Sequence, residues 1–228
     1  MAATFAPVRR ESTREKVYEA LREAILGGRL KTGQRLVEIP LARELGVSRA
    51  VLREALQQLA HDGLVEQSGY KGTRVVLLTP RQVDEIAGVR LLLEVEVVRL
   101  AHPLLNDRDR AELRALARQL AAETDFTRFS QLDFSLHQRI WAASGQGTLA
   151  RLLTQVSAPL FAMSLLIRSA EKRTRSRGDQ RRGDHTPLVE AICSGTVEEA
   201  MEAMRFHLTE NRTRVRARLE EFLAEESK

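Results

Sequence analysis

Residues 46–64 constrain the fold of this chain more than any other stretch, because they combine a helix cap, an apolar stripe and a basic face. Ser48 is a good helix N-cap, and Gly63 is suited to end the helix in a left-handed conformation. Apolar residues at helical spacing predict one buried face: Val51, Leu52, Ala55, Leu56 and Leu59. Polar residues four apart share another face and project together: Arg49, Arg53 and Gln57.

A shorter helix is predicted directly upstream, over residues 40–45. Pro40 suits its first position, and Gly46-Val47 leaves room only for a tight turn before the next helix. Helix, glycine-containing turn and arginine-bearing helix are the arrangement of a helix-turn-helix, whose second helix enters the major groove of DNA. Arginines on that helix can bond guanine edges or phosphates. For this stretch alone, an ordinary amphipathic helix with solvated arginines is an equal alternative.

The flanking residues favour the DNA-binding interpretation. Residues 1–11 are predicted to be a disordered tail, and the capping box at residues 12–15 opens another amphipathic helix. After the arginine helix, residues 64–78 predict strand, turn and strand, a β-hairpin that would form a wing. The tip of this hairpin carries the residues expected to approach DNA: Gly69, Tyr70, Lys71 and Gly72. The alternative for the hairpin is a simple structural connector.

Composition agrees with a protein that has a polyanionic partner. The net charge is +5, and residues 1–79 hold 13 of the 36 Lys and Arg residues against 9 of the 31 Asp and Glu residues. Most of the positive excess therefore lies beside the arginine helix. The single cysteine, Cys193, excludes an internal disulfide framework and a four-cysteine zinc site. With no recognisable signal peptide or long apolar run, the sequence predicts a cytoplasmic protein without a membrane partner.

Thr79-Pro80 marks the predicted end of the first domain, residues 12–79, and a second domain follows over residues 80–228. Only helices are predicted there, so the fold class is mainly α. The helical patterns cover residues 81–101, 107–123, 126–143, 148–169, 184–194 and 197–223. Six or seven helices fit equally, because residues 170–184 are ambiguous.

Ionisable residues interrupt the apolar faces of these helices and predict an internal site. Asp133 and His137 lie four apart on one apolar face, and His185 and His207 lie on two others. A lone histidine on an apolar face is usually a satisfied core residue. Three histidines and an aspartate favour a shared divalent transition metal instead, Zn²⁺ first, with Ni²⁺, Mn²⁺ and Fe²⁺ as further candidates.

Three more polar residues lie on apolar stripes. Arg90 and Glu94 share a face of the helix from residue 81, and Asn211 follows His207 by one turn. Burying a charge is costly unless it is paired. Two arrangements are therefore possible. Arg90 and Glu94 form a mutual ion pair, or Arg90 faces a cavity and binds a ligand carboxylate.

Two groups of motifs carry a resemblance to a known family. The segment LGVSRAVLREALQQLAHDGLV resembles the winged helix-turn-helix of GntR-family bacterial transcription regulators. The segments VRLLLE, LDFSLHQRIWAASG and DHTPLVEAICSGTVEEAMEAMRFHL look like the FCD effector domain of the FadR-type branch.

The first resemblance implies that Arg49 and Arg53 read DNA and that Ser48 contacts a phosphate or base. The second implies the metal set Asp133, His137, His185 and His207, an effector contact at Arg90 and a carboxylate effector. Some residues depart from the family pattern: Ile39, Pro40, Ala50, Val51 and Gln146.

The sequence therefore predicts a ligand-responsive repressor that binds a near-palindromic operator as a homodimer, with a metal-containing pocket for a small organic acid. The dimer and the ligand class follow from the resemblance. Two alternatives stay open. One is a metal-dependent hydrolase that uses the Asp and His cluster, and the other is a regulator whose metal is purely structural.

Overall fold

The computed structural model describes residues 13–26, 29–68, 72–174 and 185–226. The chain divides into two compact units, Met1–Val75 and Val76–Lys228. Several sequence predictions lie outside the described residues: the tail over 1–11, the wing tip at Gly69, Tyr70 and Lys71, and most of the ambiguous stretch over 170–184.

The first unit combines three helices with a small sheet. Its elements in chain order are α1 (Thr13–Leu26), β1 (Arg35–Leu36), α2 (Glu38–Glu44), α3 (Arg49–His61), β2 (Val65–Ser68) and β3 (Gly72–Val75). The strands are antiparallel in the order β1-β3-β2, with β3 in the middle. The predicted hairpin is therefore present as β2 and β3. Strand β1 adds a third strand, at the place where the sequence predicts a short β-like end to residues 29–37.

Helix α3 forms as its capping and apolar spacing predict. The Ser48 hydroxyl accepts the Val51 backbone N–H at 3.3 Å, and four of the five predicted core residues are buried. The fifth, Val51, is only half-buried. Helix α1 covers the apolar side of α3 with its own buried residues, Val17, Leu21 and Ile25. The buried face thus anchors α3 and leaves the opposite, basic face in solvent.

Helix α2 begins two residues earlier than predicted. Its first residue is Glu38, so Pro40 is the third residue of the helix instead of the first. The first four N–H groups of a helix have no partner within it, and a proline at the third position therefore removes no hydrogen bond. The turn to α3 uses Gly46, whose φ of +66° is favourable only for glycine.

The second unit is all-helical within the described residues. Its helices are α4 (Pro80–Ala101), α5 (Asp107–Ala122), α6 (Phe126–Ala143), α7 (Gly147–Thr174), α8 (Thr186–Ser194) and α9 (Val197–Glu226), with a 3-10 turn at His102–Leu104. Polar caps set the beginnings of three of them: Thr79 for α4, Asn106 for α5 and Asp125 for α6. Helix α4 packs against α6, α7 and α9, so its inward face lies among three other helices.

Helix α7 is more apolar than the sequence analysis assumed. By length and composition, Gly147–Ile167 is apolar enough to cross a membrane, although half of that window is buried inside the protein. The buried residues of α7, such as Leu153 and Met163, pack against α4, α6 and α9. Packing within the helical unit therefore accounts for the apolar character of this helix.

Candidate metal centre and nucleic-acid interface

Four predicted donors come together in the helical unit. Asp133 and His137 lie on α6, His185 immediately precedes α8, and His207 lies on α9. All four are buried, with 1–8% of their surface exposed. One ring nitrogen from each histidine lies within 4.8 Å of the other two. Residues separated by up to 74 positions in sequence thus share one point in the core.

The donor spacing fits a divalent ion. His185 Nε2 lies 2.9 Å and His137 Nε2 3.5 Å from Asp133 Oδ1. Despite these distances, Asp133 Oδ1, both ring nitrogens of His185 and His207 Nε2 have no aligned hydrogen-bond partner among the described residues. Donors about 2.1 Å from a common ion, at angles of about 90–110°, would lie about 3.0–3.4 Å apart. The two distances from Asp133 therefore match those of a metal site, and the unpartnered nitrogen and oxygen atoms have the chemistry of one.

A fifth buried residue, Glu94 on α4, organises one side of this cluster. One carboxylate oxygen accepts His137 Nδ1–H at 2.6 Å and Trp141 Nε1–H at 2.9 Å, and the other accepts Arg90 Nε–H at 2.7 Å. The bond at Nδ1 leaves His137 Nε2 free to face Asp133. Such carboxylate–histidine contacts fix the tautomer and ring orientation of metal-binding histidines. Sequence analysis considered Glu94 only as a partner of Arg90.

Burial and neighbouring charges leave the donors in metal-binding forms. Burial alone would raise the pKa of Glu94, but Arg90 and His137 outweigh it and lower that pKa to about 2. The pKa of Asp133 is likewise held below its ordinary value, because His185 and the other histidines overcome the effect of burial. Burial, reinforced by His137 and His185, lowers the pKa of His207 well below its ordinary value. At neutral pH both carboxyl groups are therefore ionised and His207 is an uncharged imidazole.

A cavity opens beside Asp133 and His185. Arg90, Asn211 and Arg214 are among its polar lining residues. Arg90 is 2% exposed; its Nε–H is bonded to Glu94, whereas its Nη2 has no partner among the described residues. Both alternatives considered for Arg90 are therefore compatible, because one edge of the guanidinium makes the ion pair and another is available to a ligand. Further lining residues include Phe126, Phe129, Ser130, Leu160, Phe161 and Arg218.

The predicted DNA-contacting side chains lie on the exposed face of α3. The Arg49 and Arg53 side chains are 54% and 56% exposed, and Gln57 is exposed on the same face. Glu38, at the beginning of α2, accepts Arg53 Nε–H at 2.8 Å and an Arg49 Nη2–H at 3.3 Å. Sequence analysis missed this contact, because only the packing of α2 against α3 brings Glu38 beside both arginines. Of the four predicted wing residues, the structure describes only Gly72, at the start of β3.

Comparison with known families accounts for both units. Residues 13–75 match the gntR family of bacterial regulatory proteins, and residues 85–210 match the FCD domain. The chain belongs to the GntR family of transcriptional regulators. Its first unit is the family's DNA-binding domain, and its second unit is an FCD effector domain.

Individual relatives agree with this assignment. A solved GntR-family transcriptional regulator from Pseudomonas syringae pv. tomato is 30% identical, with a TM-score of 0.56 and coverage of 96% of this chain and 91% of that one. An uncharacterised HTH-type transcriptional regulator of Bacillus subtilis, YdhC, is 33% identical; the match spans 61% of this chain and only 64% of that protein. The Glc operon transcriptional activator of Escherichia coli is 29% identical over 85% of each chain.

Family membership excludes one of the alternatives left open by the sequence. The family and its relatives are transcriptional regulators, so this chain is a regulator and not a metal-dependent hydrolase. The choice between a ligand-binding metal and a purely structural one depends on the pocket geometry.

Proposed function

We propose that this GntR-family regulator is a ligand-responsive, cytoplasmic repressor that binds a near-palindromic operator as a homodimer and senses a small organic acid through its FCD domain. The observation that carries the proposal is the buried cluster of Asp133, His137, His185 and His207 beside a cavity that Arg90 also lines. We propose that this cluster binds a divalent transition metal, with Zn²⁺ as the first candidate.

The residues around the cavity support carboxylate binding. A bound divalent ion would supply Lewis-acid attraction for one carboxylate oxygen. Arg90 would donate to the same acid from Nη2 while Glu94 holds its Nε–H, and the Asn211 amide would add a further polar contact. Glu94 also holds the His137 ring, so the arginine and the histidine share one positioning residue.

An exposed apolar patch on α4 supports the homodimer. Leu92 is 75% exposed and Val89 is 38% exposed, and they lie three residues apart on the helix surface. A second copy that covers this patch would form a two-fold interface, and a two-fold dimer presents two recognition helices to successive major grooves. Ser48, Arg49, Arg53 and Gln57 would then contact each half-site, together with the wing residues Gly69, Tyr70, Lys71 and Gly72.

Effector binding is proposed to act through a population shift. An acid that binds one arrangement of the dimer more tightly than another changes the fraction of molecules able to bind the operator. One relative is named an activator, so the relatives of this chain do not all repress transcription. The repressor prediction made from the sequence is tested by reporter output, which should rise when the gene is deleted.

The deciding experiment measures operator affinity with and without small carboxylates. The metal-loaded protein is first used to select its operator from random duplex DNA, and the affinity is then measured by fluorescence anisotropy. We expect at least one carboxylate to change the operator Kd by about 5–150-fold, the usual range of coupling between two sites. The double variant His137→Ala with His207→Ala should lose both the metal and this response.

A purely structural role of the metal predicts a different result. Removal of the ion would then lower the unfolding temperature and leave the carboxylate response of the remaining folded protein intact. A response that survives removal of the metal therefore rejects the ligand-binding role of the ion, and the failure of every carboxylate to alter operator binding rejects the proposed sensor.

A further inference from the structure

We infer that the effector carries two acidic groups, one bound beside Arg90 and the proposed ion and the other bound by Arg214. This inference rests on the proposed carboxylate-sensing function and specifies its ligand as a dianionic acid. Arg214 has no role in the predicted site, yet it lines the same cavity as Arg90, Asp133 and His185.

The arginines on α9 fall into two groups. Arg212 and Arg216 both donate to Asp84 on α4, and Arg216 also donates to Glu220, so two carboxylates balance these two arginines outside the cavity. Arg214 lies between them on the other side of the helix and is half-buried. Within the part of the chain that the structure describes, Arg214 has no hydrogen bond or ion pair. Two arginines of α9 line the cavity, Arg214 and Arg218, and Arg214 is the one without a hydrogen bond or ion pair among the described residues.

Arg214 is also displaced from the metal cluster along the helix. It lies seven residues after His207, which corresponds to about 10 Å along an α-helix. If one acidic group of the ligand binds the proposed ion and Arg90, Arg214 is therefore placed to bind a second acidic group farther along the cavity. Apolar side chains, Phe126, Phe129 and Leu160, also line this cavity and suit a short carbon chain between the two groups.

The balance of charge favours the same class of ligand. Arg90 and Arg214 line the cavity, and Asp133 and Glu94 provide two opposing carboxylates. A divalent ion in the cluster would raise the formal charge of these four groups from zero to two positive charges. A monocarboxylate would leave one of them uncompensated in partly buried surroundings, where unpaired charge is unfavourable. A dianionic acid would leave none.

The test compares matched acids that differ by one acidic group. Isothermal titration of the full-length, metal-loaded protein is carried out with propionate against succinate and with lactate against malate. Glycerate against phosphoglycerate tests whether the second group can be a phosphate. We expect the member with two acidic groups to bind about tenfold or more tightly in at least one pair, because a second charge-assisted contact forms. Arg214→Gln should reduce that advantage to about threefold or less and leave the monocarboxylate Kd unchanged.

The control is Arg205→Gln, on the same helix. Arg205 is exposed and pairs only at the surface with Glu202, so this variant removes an equal charge away from the cavity and should keep the full preference. Arg214→Lys should retain part of it. Circular dichroism and metal content establish that each variant is folded and loaded.

Three outcomes would overturn the inference, and the third would also overturn the proposed function. Equal binding of mono- and dianionic acids rejects the second subsite, as does a preference that persists in Arg214→Gln; the carboxylate pocket would stand in both cases. If no acid of either charge binds the wild-type protein, the proposed function fails together with the inference.

Discussion

At the scale of single residues, two carboxylates position the candidate functional side chains. Glu38 holds Arg49 and Arg53, and Glu94 holds His137 and Arg90. Sequence spacing identified the arginines and the histidine because these residues interrupt or oppose an apolar stripe, and it offered Glu94 as a partner of Arg90 four residues away. It could not identify the other contacts, because 15 residues separate Glu38 from Arg53 and 43 separate Glu94 from His137.

Glu38→Gln should weaken discrimination between operator and random DNA. The substitution removes the charge that holds Arg49 and Arg53, so both side chains become free to contact phosphates nonspecifically. We expect the affinity for random duplex to rise about three- to tenfold at low salt, measured by fluorescence anisotropy on operator and scrambled DNA. Glu44→Gln removes an equal charge from an exposed position of α2. An identical rise in both variants would mean that net charge, and not the contact, is responsible.

Glu94→Gln should weaken metal binding about 10–100-fold, the usual effect of losing a carboxylate that orients a ligand histidine. It should also lower the free energy of unfolding, because the buried Arg90 charge loses its partner. Metal affinity is measured by competition with a chromophoric chelator, and the His137 tautomer by ¹⁵N NMR. Glu96→Gln on the same helix affects only the exposed pair with Arg99 and serves as the control. Unchanged metal affinity in Glu94→Gln, with an unchanged tautomer, contradicts the positioning role.

At the scale of elements, apolar spacing and capping residues predicted most helices well. The predicted 126–143 matches α6, and 107–123 exceeds α5 by one residue. The apolar spacing underestimated the lengths of α7 and α9. A helix continues for as long as its backbone hydrogen bonds form, even where its apolar stripe has ended. The β-like end of residues 29–37 marked the place of β1 but not its partner, since the pairing of β1 with β3 is a tertiary contact. The candidate metal donors could be predicted because ionisable residues on an apolar stripe are visible in sequence, whereas Arg214 was not predicted because exposed arginines are common.

Two glycine substitutions should change stability in opposite directions. Gly46 has φ of +66° and nothing within 4 Å of an added Cβ, so Gly46→Ala should cost about 1–2 kcal/mol through backbone strain alone. Gly88 lies inside α4 with equally open space and an ordinary φ. Gly88→Ala should therefore stabilise the protein by about 0.5–1 kcal/mol. Urea unfolding at one fixed protein concentration measures both. Stabilisation by Gly46→Ala would show that the turn does not need the left-handed conformation.

At the scale of the whole molecule, the proposed homodimer predicts that the α4 patch controls assembly. Leu92→Glu places a charge on the most exposed large apolar side chain of the described residues and should convert dimers to monomers at micromolar concentration. Sedimentation velocity measures the change, and operator affinity should fall with it. Leu104→Glu alters a residue that is 59% exposed in the turn after α4 and should leave the dimer intact. A dimer that persists in Leu92→Glu places the interface elsewhere.

Asp133, His185 and His207 have donor atoms without a hydrogen-bond partner among the described residues, and the ion proposed to bind them has a consequence for how much of this regulator a cell holds. A ligand that binds only the folded chain adds to its stability, by about 2.7 kcal/mol when present at a hundred times its dissociation constant. Metal starvation would remove that contribution, and chains that unfold more often are degraded sooner. The copy number of the regulator would then follow the supply of the ion, so expression of its target genes would respond to metal nutrition even when the organic acid is constant.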